Sequence, residues 1–162
     1  VDLKIVADAL NTPTEDFNFA SPQYDPIELV DGMVAVAVAN RGLGLAANQV
    51  GLRVSVLVFG DPGDPSSYAA LFNPRIIDLA GEAYYAQEGC LSFPGLWPKV
   101  KRSPSVRVRY ADRSGVVTTE LFQGVTARVV QHEIDHLLGI TFIKRATKFH
   151  IDQARRQARR VK

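Results

Sequence analysis

Between Gly124 and Leu138 the apolar residues Val125, Val129, Val130, Ile134, Leu137 and Leu138 recur at helical spacing and cover much of a helix circumference. A helix apolar over so much of its surface is buried rather than laid on the outside, and Gly139 can end it. An earlier helix starts at Asp25-Pro26-Ile27-Glu28: Asp25 suits the cap, Pro26 the first helical position, and Glu28 the capping-box spacing. Ile27, Val30, Met33, Val34 and Val38 give it an apolar face, and Gly42 a stop. A last helix is predicted over His150–Arg160.

Between the helices the pattern changes to that of strands. Arg53–Phe59 is β-branched and apolar, and Asp61-Pro62-Gly63-Asp64-Pro65 reads as a loop. Short strands are predicted at Ala69–Phe72, Arg75–Leu79 and Glu82–Gln87. Val106, Val108 and Tyr110 alternate with Arg107 and Arg109, as in a half-buried strand. Asp112-Arg113-Ser114-Gly115 is a turn, and Val116–Phe122 returns as the hairpin partner. Val1–Tyr24 has no clean period and reads as an irregular or short-stranded opening. The expected fold is α+β: short antiparallel and mixed β-sheets packed around a central buried helix, with a C-terminal helix.

Composition fits this picture. The chain has 162 residues, 46% hydrophobic and 22% charged, as expected for one folded domain over 1–162 rather than a disordered chain. No apolar run is long enough for a membrane span, and the opening residues lack the basic-then-apolar order of a signal peptide. Charge is uneven. Eight of the 19 Lys/Arg but one of the 17 Asp/Glu fall from Lys144 onward, leaving 11 basic and 16 acidic residues before it. The segment 144–162 is therefore a basic tail on an acidic body. In it Arg155, Arg156, Arg159 and Arg160 recur at four-residue spacing.

The chemistry is concentrated on the predicted buried helix, in His132-Glu133-Ile134-Asp135-His136. Two histidines four apart share a helix face and can reach one cation, with Glu133 beside the first to act on a water as acid/base. Burying these polar groups without partners would cost on the order of 1–3 kcal/mol for each neutral one and more for a charge. A metal explains the cluster better than chance does. A catalytic site takes three protein ligands and keeps one position open. A third His at the extended-motif position is missing, since that position is Phe142, and no Glu occurs after Glu133. His150 and Asp152 lie downstream without a motif. Upstream, the single cysteine, Cys90, sits in polar, glycine-flanked Glu88-Gly89-Cys90-Leu91-Ser92. A lone cysteine is usually a small buried hydrophobe, but this setting suits a thiolate ligand.

Three segments resemble the peptide deformylase family, in the family's order. Gly42-Leu43-Gly44-Leu45-Ala46-Ala47-Asn48-Gln49 is similar to its GxGLAAxQ segment, Glu88–Ser92 to EGCLS, and Gln131–Leu137 to QHExDHL. The similarity runs from about Gly42 to Phe142. It implies removal of the N-formyl group from formylmethionine at the start of nascent polypeptides, with release of formate. It implies Cys90, His132 and His136 as ligands of one divalent metal, commonly Fe²⁺ and replaceable by Zn²⁺, Ni²⁺ or Co²⁺. It implies a metal-bound water as nucleophile and Glu133 as catalytic acid/base. Gln49 and the Leu91 backbone N–H would stabilise the oxyanion.

Substrate contacts are expected from Leu43, Gly44, Glu88, Gly89, Leu91 and Val129. Asp135 is expected to hydrogen-bond a ligand His or to pair with Arg102. The resemblance also implies a cytoplasmic protein of a bacterial-type translation system, with ribosome docking through the basic tail. No membrane association or sequence-specific nucleic-acid reading is expected. Asn48 stands where the family often has Pro, and Trp97 lies in a variable loop near the site, so rim contacts are expected to differ. The competing readings are a zinc endopeptidase, a binding module with a structural metal, and a thiol protein centred on Cys90.

Overall fold

The computed structural model describes residues 3–161. Val1, Asp2 and Lys162, which the single-domain reading includes, lie outside the described residues. Residues 3–24 are largely irregular, tied to the body by a parallel bridge from Glu15 to Val54. The elements then run α1 (Pro26–Ala39), β1 (Gly44–Ala46), a 3-10 turn (Ala47–Val50), β2 (Val56–Asp61) and β3 (Asp64–Ala80). They continue with β4 (Tyr84–Gln87), β5 (Lys99–Arg102), β6 (Ser105–Ala111), β7 (Val117–Gln123), α2 (Gly124–Leu137), α3 (Phe142–Arg145) and α4 (Lys148–Arg160).

The fold is α+β. Five strands form an antiparallel sheet in the order β1-β2-β3-β6-β7, and β4 pairs antiparallel with β5 in a second sheet. The larger sheet is covered on both faces. Val56, Val58 and Phe72 face α1 and the opening segment. Leu57, Leu71, Val106, Val108 and Phe122 face Ala127, Val130, Ile134 and Leu137 of α2. Strand β2 is thus apolar at consecutive positions because both its faces are buried. On β6 the alternation read from sequence is real: Val106 and Val108 are buried while Arg107 and Arg109 are exposed.

Several expectations need correction. The face of α1 is rotated: Ile27 is 54% exposed, and Leu29, Val30, Met33, Val36 and Ala37 are the buried positions. The helix is apolar nearly all round, so spacing alone does not select a face. Asp25 does cap it, accepting from the N–H groups of Ile27 and Glu28. The expected loop at Asp61–Pro65 is a tight hairpin turn, with Asp61 paired to Asp64. The strands read at Ala69–Phe72 and Arg75–Leu79 are one strand, β3. Their apparent break at Asn73-Pro74 is a bulge, with Asn73 at φ +52°. A bulge accommodates a proline that a regular ladder would not. Val125 in the first turn of α2 is 68% exposed and its C-cap Leu138 54%, so the helix is buried from Ala127 to Leu137, with Val129 half-buried, rather than throughout.

Candidate active site

Helix α2 carries both histidines on the side turned toward β1 and the loop after β4. Sγ of Cys90 lies 3.2 Å from Nε2 of His136, and the two Nε2 atoms are 3.2 Å apart. All three donor atoms lie within 4.8 Å of one another. Two nitrogens bound about 2.0–2.1 Å from one tetrahedral ion stand roughly 3.3–3.4 Å apart, so the spacing fits a single cation. Among the described residues no fourth His, Cys, Asp or Glu joins this group, as a catalytic rather than a closed structural site requires.

His132 is fixed from behind. Nδ1 of His132 donates to Oε1 of Glu88 at 2.8 Å, which leaves Nε2 turned toward Nε2 of His136. Arg102 donates to both Glu88 oxygens (2.7 and 3.0 Å), and Arg128 donates to Oε2 at 2.7 Å. Arg102 also donates to Asp135, whose carboxylate accepts two bonds from Arg145 on α3. Asp135 therefore pairs with Arg102, as one of the two readings had it, and the acceptor for His132 is Glu88. Burial pushes the Glu88 carboxyl upward, but hydrogen bonds from His132 and Arg102 outweigh it and hold the pKa at about 2. Burial opposes charge on His132, yet its hydrogen bonds to Cys90 and Glu88 raise its pKa. Burial and the charge of His132 drive His136 down to about 3, which keeps it neutral.

Glu133 lies on the cleft side of α2, and its Oε1 is a buried atom with no hydrogen-bond partner. Desolvation dominates its titration and raises its pKa to about 7, against the charge of His132. That value suits a group that both takes and gives a proton near neutrality. Gly44 lies against it: a Cβ there would stand 2.6 Å from Glu133 Oε2 and 2.8 Å from Val129 Cγ1. Gln49 fits the same cluster. Its Oε1 accepts from the Ala46 N–H, and its Nε2 lies 3.1 Å from Ser92 Oγ and 3.6 Å from Cys90 Sγ. The Leu91 N–H has no backbone partner among the described residues.

These groups border one cleft of about 600 Å³, lined also by Leu43, Glu88, Gly89, Leu91, Trp97 and Val129. Every residue expected to act on the substrate therefore borders the same space, although the Glu88 carboxylate is turned to His132. Gly89 is required by Trp97, whose ring occupies the space a Cβ would take, 2.2 Å from its position. Asn48 is not a rim residue. It is buried, and its side-chain amide donates to the carbonyl of His136, fastening the 3-10 turn to α2. Sequence reasoning missed Arg128 and Arg145. The only signal for them was a cation at a buried helix position and one just after the metal helix.

A helix-borne His-Glu pair, a second His one turn on and an upstream cysteine beside an open cleft define a metal-dependent hydrolase of the HExxH class. The polypeptide deformylase family model matches residues 3–151. A peptide deformylase of Desulforudis audaxviator is 45% identical over 132 residues, covering 80% of this chain and 82% of that protein. A plant peptide deformylase crystal structure superposes with a TM-score of 0.88 at 34% identity, covering 98% of this chain and 88% of that one. A Met-Ala-Ser-bound class I type b peptide deformylase from Acinetobacter baumannii gives 0.80 at 31% identity, covering 90% and 98%. The chain belongs to the peptide deformylase family, and its activity is removal of the N-formyl group from the amino terminus of polypeptides.

Proposed function

We propose that Cys90, His132 and His136 hold one divalent ion, that Glu133 is the acid/base, and that Gln49 Nε2 and the Leu91 N–H receive the developing oxyanion. The observation that carries this is the convergence of three donor atoms within 4.8 Å beside a buried carboxyl of pKa about 7. When bound, the ion supplies Lewis acidity, lowering the pKa of a water it holds to about 7 and polarising a carbonyl. A mixed thiolate and imidazole set suits Fe²⁺, the ion we assign to the native protein, and accepts Zn²⁺, Ni²⁺ or Co²⁺ in its place.

Glu133 takes a proton from the attacking water as its oxygen bonds to the formyl carbon. The same proton then passes to the departing amine nitrogen as the C–N bond breaks, leaving formate and a free amino terminus. Charge on the formyl oxygen meets the amide of Gln49 and the N–H of Leu91, donors worth roughly 2.7–4 kcal/mol each in comparable holes. Strand β1 is an edge of its sheet, so the backbone at Gly44 can pair with an extended peptide. Leu43, Gly89, Val129 and the aliphatic part of Glu88 then enclose the methionine side chain. The Acinetobacter relative in complex with Met-Ala-Ser supports a peptide headed by methionine.

We assign residues 1–162 to one catalytic domain acting in the cytoplasm of a bacterial-type translation system. No helix among the described residues is long and apolar enough to cross a membrane. The basic segment 144–162 docks on the polyanionic ribosome through the side of α4 that carries Arg156 and Arg160. Arg156→Glu with Arg160→Glu should weaken ribosome pelleting, and undiminished pelleting would sink that part. The enzymatic roles are tested by formate release from a formyl-Met peptide, using protein loaded anaerobically with Fe²⁺. Glu133→Ala should keep the metal and lose about 10²–10⁴ of the rate. An active variant would remove Glu133 from the mechanism.

A further inference from the structure

A second groove, of about 670 Å³, opens beside the catalytic cleft. Residues 94–97 wall both, so the two adjoin with Trp97 between them. Helix α4 forms the far side. Ala154 and Ala158 give it a low floor, and Arg155 and Arg159 border the groove. Arg156 and Arg160 share another side of the helix and do not line it. The basic stripe of α4 is thus two pairs of arginines in different surroundings.

The groove is a built feature. Helix α4 is capped by Thr147, buries Ala154 to 2% exposure, and sets His150 against the ring of Tyr85 with centroids 5.0 Å apart. Trp97 is 57% exposed yet held by its packing on Gly89. No acidic side chain lines the groove among the described residues. A peptide whose first residue sits at the metal centre advances about 3.3 Å per residue when extended and must leave the cleft. The groove that adjoins the cleft past Trp97 offers it a path into the space beside Arg155 and Arg159.

We propose that this groove receives the substrate segment downstream of formylmethionine, and that Arg155 and Arg159 make it favour acidic side chains there. The proposal rests on the formyl-peptide reading above and extends its substrate range. The wall shared with the catalytic cleft selects the occupant, and the unopposed pair of arginines selects its charge.

The test compares formyl-Met peptides of about ten residues that differ in carrying Asp or Lys from roughly the fourth to the eighth position. At low salt kcat/KM should favour the acidic series by about two- to tenfold, the range exposed ion pairs give, and the difference should shrink at high salt. Arg155→Glu with Arg159→Glu should reverse the preference, leave turnover of formyl-Met-Ala-Ser unchanged and leave ribosome pelleting intact. Arg156→Glu with Arg160→Glu should keep the preference. Equal rates for the two series, a preference that survives the first double variant, or one abolished equally by the second would overturn the proposal. So would loss of pelleting in the first double variant, since it assigns that pair to the ribosome. Trp97 is the single tryptophan, so its fluorescence reports binding of the acidic peptide without turnover. An inactive tripeptide alongside a normal fluorescence titration would count against the catalytic roles and not against the groove.

Discussion

Glu88 accepts the Nδ1 proton of His132 across 2.8 Å, while Arg102 and Arg128 hold the same carboxylate from the other side. An ionised carboxylate can only accept, so it fixes the tautomer that leaves Nε2 of His132 as the donor toward a cation. Glu88→Gln should therefore lower metal affinity about 10–100-fold. Competition with a chelator measures this, and unchanged affinity would show that the hydrogen bond does not orient the ligand.

The same carboxylate links stability to acid. Its pKa is depressed from 4.5 to about 2 in the fold. The stabilisation is complete above the unfolded value and is lost as pH falls from there toward about 2. The shift corresponds to about 3 kcal/mol. Acid unfolding of metal-free protein, followed by circular dichroism, should be less steep between these values in Glu88→Gln than in the parent.

Glu133 has the opposite sign. Its pKa is raised from 4.5 to about 7, so the fold binds more protons than the unfolded chain between those values and loses stability as pH rises through them. In metal-free protein Glu133→Gln should melt at the parent temperature near pH 4 and above it near pH 8. Melting curves at the two pH values decide this. A variant no more stable at pH 8 would show that ionising Glu133 costs the fold nothing.

Gly44→Ala tests the close approach of β1 to α2. The added methyl would stand 2.6 Å from Glu133 Oε2, so the carboxylate must move. Displacement of a reacting group by about 1 Å can cost on the order of 10²-fold. A fall in kcat of that size is expected, with metal content unchanged because the atoms nearest the new methyl belong to Glu133 and Val129. Normal kcat would mean that Glu133 has freedom the packing does not suggest.

The two histidines and Glu133 were legible because helical spacing alone puts positions 132 and 136 on one side. Cys90 was legible partly by elimination, since Phe142 stands where a third histidine would be, and its setting between glycine and polar residues separated it from a core thiol. The rotation of α1 was not legible, because a helix apolar nearly all round offers no period to read. The unity of β3 was hidden by Asn73-Pro74, which looks like a break and is a bulge. Strands β1 and β5 are three and four residues long, too short for alternation to register.

By itself the sequence determined the chemistry available: which residues can bind a metal, which can move a proton, and which motifs stand in the deformylase order. Those are properties of residue type and short spacing, and they survive without coordinates. Only the tertiary structure decided that Glu88 serves His132 through its carboxylate, that Asn48 ties the 3-10 turn to α2, and that the arginines of α4 divide between a groove and open surface. Each of these joins residues far apart in the chain or depends on what lies beside a helix. Burial and direction are set by packing, and a linear pattern records neither.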